Sequence, residues 1–154
     1  MSANGDGTGP KEIVSGAANI LGPNGLEYGN GFLYWPDQQL NVISKVRPDG
    51  SGWAVFTTVT NAYDVFITSE RVYWTARGPS GANRILNSAK LHGSDDTSAG
   101  PKPTVRPFAV EVSDSFIYWS QINSVIEEGS ANPQPSLGNA RRVDNNLIFT
   151  VQGR

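Results

Sequence analysis

The chain has 154 residues with 17 glycines, 10 prolines, a single histidine and no cysteine, and it carries a formal net charge of −2. The missing cysteines exclude disulfides and thiolate chemistry. A near balance of 12 basic and 14 acidic residues, with no basic stripe, argues against a nucleic-acid partner. No apolar run is long enough for a membrane-spanning helix or a signal-peptide core, so no membrane insertion is expected.

Residues 1–11, opening MSANGDGTGP, are too polar and glycine-rich to pack and are expected as a mobile leader. Residues 12–18, EIVSGAA, read as a single outer strand. A repeating phrase then begins. GLEYGNGFLYW (25–35), DVFITSERVYW (64–74) and AVEVSDSFIYW (109–119) align without a gap on a shared Tyr-Trp pair. A weaker fourth copy, ARRVDNNLIFT (140–150), has Phe149 in place of the tyrosine. The tyrosines Tyr34, Tyr73 and Tyr118 are 39 and 45 positions apart, a period typical of propeller blades and solenoids.

Each copy alternates apolar residues, breaks at a polar cluster and resumes, which is a hairpin signal. Gly29-Asn30-Gly31 and Asp144-Asn145-Asn146 supply turn residues that tolerate left-handed backbone. A third strand follows at 41–47, 84–91 and 124–127, closing on Asp49-Gly50-Ser51, His92-Gly93-Ser94 and Gly129-Ser130. Fourth strands are expected at 53–59, near 102–105 and around 135–137. Four short antiparallel strands per repeat make a β-propeller blade. The chain therefore reads as all-β, a partial propeller over 12–154. Its blades span about 22–60, 61–105 and 106–138, and a partial blade combines 139–154 with the strand at 12–18.

The pattern of Tyr-Trp-Thr and Asp-Gly-Ser, best kept at Tyr73-Trp74-Thr75 and Asp49-Gly50-Ser51, resembles the YWTD repeats of low-density-lipoprotein-receptor-type propellers and of bacterial YWT-repeat propellers. The likeness covers roughly residues 12–154. Tyr34-Trp35-Pro36-Asp37 and Tyr118-Trp119-Ser120 depart from it, and His92 replaces the aspartate of the second turn. The resemblance favours a secreted or periplasmic location. It also leaves an alternative, because some propellers of related repeat type are lyases or lactonases that hold a ligand in the central channel.

Adjacent strand residues point to opposite faces, and both faces of a blade are covered in a ring. Tyr34, Trp35, Tyr73, Trp74, Tyr118, Trp119 and Phe149 are accordingly assigned to the blade core. Trp53 has no counterpart in the other copies and is a candidate contact residue. The loops after each Tyr-Trp strand share one rim and vary while the strands persist, as recognition loops do. They nominate Asp37, Gln39, Arg77, Gln121 and Asn123. Glu27, Asp64 and Glu111 stand near the starts of the copies at irregular positions. With His92 read as a turn residue, no catalytic residue, metal site or cofactor is expected.

Three and a half blades do not close a ring. Two copies joined head to tail, one very small four-bladed ring, or a fragment of a longer propeller would each account for them. The first is favoured: a homodimer, offering its rim loops to a protein or glycan.

Overall fold

The computed structural model describes residues 1–16, 18–77, 84–94, 97–98, 107–113, 116–121, 125–130 and 141–144, with only the backbone of 84–85, 97–98, 125–130 and 141–144. Twelve strands form three four-stranded sheets, each antiparallel and ordered as in the chain. Blade 1 contains β1 (Glu27–Gly29), β2 (Phe32–Asp37), β3 (Val42–Val46) and β4 (Ala54–Thr58). Blade 2 contains β5 (Ala62–Ile67), β6 (Arg71–Arg77), β7 (Arg84–Lys90) and β8 (Thr97–Ser98). Blade 3 contains β9 (Pro107–Ser113), β10 (Phe116–Gln121), β11 (Val125–Ser130) and β12 (Arg141–Asp144). This is an incomplete β-propeller: blade 2 packs against blade 1 on one side and blade 3 on the other.

Turn chemistry fixes the register. Asn30 and Gly31 join β1 to β2 with φ of 52° and 81°. Two successive positive values belong to the type I′ turn, whose twist matches that of the strands it connects. The β3–β4 turn is built twice on one plan. Gly50 donates to the Arg47 carbonyl and Arg47 to that of Ser51, and Gly93 and Lys90 repeat both bonds with Lys90 and Ser94. Asp49 braces the first turn by accepting from the Ser51 amide at 2.8 Å. In the second, His92 Nε2 lies 2.6 Å from Ser94 Oγ. His92 is thus a turn residue, as its position in the sequence implies.

The Tyr-Trp pair serves two interfaces at once. Tyr34, Ile43 and Phe56 of blade 1 share a core cluster with Val65, Val72 and Trp74 of blade 2. Tyr73 and Leu86 of blade 2 share the next with Val110, Ile117 and Trp119 of blade 3. Each copy therefore sends its tyrosine forward and its tryptophan backward, as the strand period of two requires. Blade 1 meets blade 2 so closely at Gly29 that a Cβ there would lie 2.7 Å from Ile67 Cβ. Only glycine fits.

Two outer strands differ from the sequence reading. Residues 12–16 form no strand, while Lys11, just before them, bridges Ser2 in a small N-terminal hairpin. Mutual 2.7 Å backbone bonds between Ser2 and Lys11 give this leader local structure. The stretch 141–144, aligned above with the start of a fourth copy, instead pairs with β11 as the outermost strand of blade 3. Its register sets Arg142 opposite Glu127 and Arg141 opposite Glu128. The pairing removes an open edge from β11. Phe149 and the rest of the fourth copy lie outside the described residues, as does the expected strand around 135–137.

Candidate functional site

Strand direction divides each blade into two ends. The β2–β3 turn and the β4–β5 connection share one end, the loop rim. The β1–β2 and β3–β4 turns share the other. At the loop rim, Asn41 and Asn61 both adopt positive φ, 57° and 52°. Asparagine tolerates this conformation better than other residues with a side chain. Asn41 accepts from the Val59 amide through its carbonyl and from the Asn61 amide through its side chain at 3.3 Å. Asn61 in turn accepts from the Arg77 amide at 3.0 Å. The β2–β3 turn, the interblade connection and the end of β6 are so tied into one framework.

The proposed contact residues fall differently on this framework. Gln39 and Arg77 are exposed, with Gln39 lying over Gly22. Asp37 has no exposed surface. Its carboxylate accepts from the amides of Leu21 (2.8 Å), Gly22 (3.0 Å), Gln39 (3.1 Å) and Leu40 (2.9 Å). Burial alone would raise its pKa, but those four backbone donors together outweigh burial and hold it below the usual value. Asp37 is a clamp between the segment before blade 1 and the turn after β2, and it has no surface left for a partner. Gln121 is also buried, at 6% exposure. Trp53 is 38% exposed but precedes β4, so it belongs to the end opposite the loop rim. Asn123 lies outside the described residues. The rim therefore keeps Gln39 and Arg77 as its described contact candidates.

The innermost strands carry a second feature. Glu27 stands opposite Tyr34 and Glu111 opposite Tyr118, so the two occupy one position of the repeat, which Phe66 fills in blade 2. Aligning on the Tyr-Trp pair contains this equivalence, although the three acids look irregular as a set. Asp64, two residues before Phe66, reaches across to blade 3, where Oδ2 accepts from the Val110 amide at 3.0 Å. Thr75 adds a bond from its hydroxyl to the Phe108 carbonyl. Gly25 of blade 1 crowds the other oxygen of Asp64 and leaves no room for a Cβ.

All three carboxyls are pushed above their ordinary pKa. Burial is the larger cause for Glu27, followed by repulsion from Glu111 and Asp64. For Asp64 burial outweighs the Val110 and Val65 amides. For Glu111, the most open of the three, burial acts with repulsion from Asp64. Among the described residues, no three His, Cys, Asp or Glu side chains converge as a metal site would require. The inner edge is an acidic lining that disfavours anions.

A pH dependence follows. Because the folded pKa values are raised, these groups contribute full stability below their unfolded values near 3.8 and 4.5 and lose it as pH rises through the folded values. Stability to urea should fall as pH increases above about 4.5. Glu27→Gln should flatten that slope and raise the midpoint at neutral pH. An unaltered slope would show that folding does not raise the pKa of Glu27.

No family model matches the chain. It is 28% identical to low-density lipoprotein receptor-related protein 1 of Pyricularia oryzae over 75% of this chain and 45% of that protein, so it spans about half the length of this curated relative. Its fold is similar to a chain in the crystal structure of a nidogen/laminin complex, with a TM-score of 0.58, 14% identity and coverage of 84% of this chain and 66% of that one. It is also similar to the computationally designed Ika4 protein, with a TM-score of 0.59, 9% identity and coverage of 94% and 81%.

Proposed function

We propose that this incomplete β-propeller, whose repeats resemble the YWTD type, is a non-catalytic binding and assembly module whose ring is closed by a second copy. The observation that carries this reading is the offset of the Tyr-Trp pair. Both internal interfaces join a tyrosine face to the tryptophan face of the next blade. At the two ends of the described fold, neither the Trp35 face of blade 1 nor the face of blade 3 that bears Phe116 and Tyr118 packs against another described blade. Phe116 is 44% exposed, and its ring lies 6.4 Å from that of Tyr118. The matching pair in blade 1, Phe32 and Tyr34 at 6.3 Å, is covered by blade 2.

Three described blades fall short of the four that the smallest propellers need, whereas the described blades of two copies make six, within the usual range of about 4–8. A twofold axis along the ring would make both contacts the same and close the assembly. Light scattering during size-exclusion chromatography should give twice the 16.5 kDa chain mass. Phe116→Asp should return the protein to the single-chain mass with its circular dichroism unchanged. A wild-type protein that stays at the single-chain mass at every concentration would overturn ring closure.

A ring so closed presents the loop rims of both copies, and we assign partner binding to them through Gln39 and Arg77. The likeness to a chain solved in a nidogen/laminin complex supports a protein as the partner, with a glycan as the other class to test. For whichever ligand is retained from a panel of proteins and glycans, Arg77→Ala should weaken binding by about tenfold without lowering the unfolding midpoint. Unchanged affinity would remove the rim as the site.

A further inference from the structure

The Trp35 face is not bare. The N-terminal segment crosses it from end to end, passing the β3–β4 turn where the Ile13 carbonyl approaches Gly50 and reaching the loop rim where Asp37 holds the amides of Leu21 and Gly22. Between these points Ile13, Val14 and Ile20 line a common pocket with Leu33, Trp35 and Val46. The cover fits badly. It leaves a largely apolar groove of about 410 Å³, partly open to solvent, beside the blade, although Trp35 and Val46 beneath it are buried. Leu26, on the same side of β1, stays 62% exposed and Tyr28 61%.

A polar mismatch points the same way. Ser44, paired with Trp35 across β2 and β3, is fully buried and its hydroxyl has no hydrogen-bond partner. The matching position of blade 2 is Asn87, paired with Trp74, and Asn87 is engaged in an interaction within the structure. The orphaned Ser44 hydroxyl is a buried polar group that the N-terminal cover does not satisfy.

We infer that the N-terminal segment is a displaceable cover over the Trp35 face, and that the Phe116–Tyr118 face of a second copy takes its place when the ring closes. This rests on the ring-closure reading above. The segment is tethered beside the face, so it competes at high effective concentration despite its poor fit. Covering lowers the apparent affinity between copies in proportion to the fraction of time the face is open. The hinge is at Leu21 and Gly22, where the Asp37 clamp marks the end of the fixed part.

The test uses the full chain with Ile13→Asp and Val14→Asp together, which removes the apolar contacts of the cover and touches no strand. Sedimentation equilibrium should show association about tenfold tighter than wild type, the effect expected if the face is open about one-tenth of the time. Association equal to that of wild type would overturn the cover and leave ring closure standing. If neither protein associates, ring closure fails and the cover fails with it. A second measurement needs no variant. Trypsin cleavage after Lys11 should speed up as the wild-type protein is concentrated and the cover is displaced. A rate independent of concentration, in a protein that does dimerise, would overturn the inference.

Discussion

Trp74→Ala is expected to lower the free energy of unfolding by about 4 kcal/mol, more than half the stability of many domains. Trp74 is 1% exposed and packs between blades 1 and 2 with Tyr34, Ile43, Val65 and Val72. Removing the indole empties a close-packed interface where blades 1 and 2 hold together. Trp74→Phe should cost much less, because it keeps most of the ring and discards an indole nitrogen that is buried without a partner. Trp35→Ala should also cost less, although Trp35 belongs to the same repeat position. Its ring already borders a groove beneath the N-terminal cover. Urea denaturation of the three variants gives this order directly. Equal losses for Trp35 and Trp74 would mean that the cover packs as well as a blade.

The second large effect is expected at Asp37. Asp37→Ala should cost about 3 kcal/mol, because four backbone amides lose their acceptor in a place that water reaches poorly. Asp37→Asn keeps the shape but surrenders the charge that strengthens each bond, so an intermediate loss of about 1–2 kcal/mol is expected. The pH response separates this carboxylate from the inner-edge acids. Its pKa is lowered, so its contribution is complete above about 3.8 and disappears only as pH falls through the folded value. Thermal unfolding of wild type and Asp37→Asn should therefore converge toward low pH. Curves that stay parallel would mean that the amides, not the charge, carry the effect.

The blades were legible in the sequence because their evidence is local. Each hairpin is announced by period-two alternation around a turn such as Asn30-Gly31, and the Tyr-Trp pair marks its second strand. The Asp-Gly-Ser turn survives replacement by His92 because its backbone bonds, not its first side chain, define it. Outer strands were harder to place. β8 is two residues long, and β12 is recognised by its pairing rather than by any pattern of its own. Asp37 was misread for a related reason. In Pro-Asp-Gln-Gln a carboxylate looks like rim chemistry, and two of the amides that enclose it come from 15 and 16 residues earlier in the chain. The placement of Trp53 turned on strand parity: a turn between third and fourth strands opens at the end opposite the rim.

The offset Tyr-Trp pair also bears on the order in which the molecule assembles. A single sequence repeat contains no core, since its two aromatic faces are completed by different neighbours. Folding must then start from a pair of adjacent copies and spread outward one junction at a time, in the manner of a one-dimensional array. Blade 2, which takes part in both clusters, is where amide protons should exchange most slowly. Blades 1 and 3, each sharing one described junction with blade 2, should open before it.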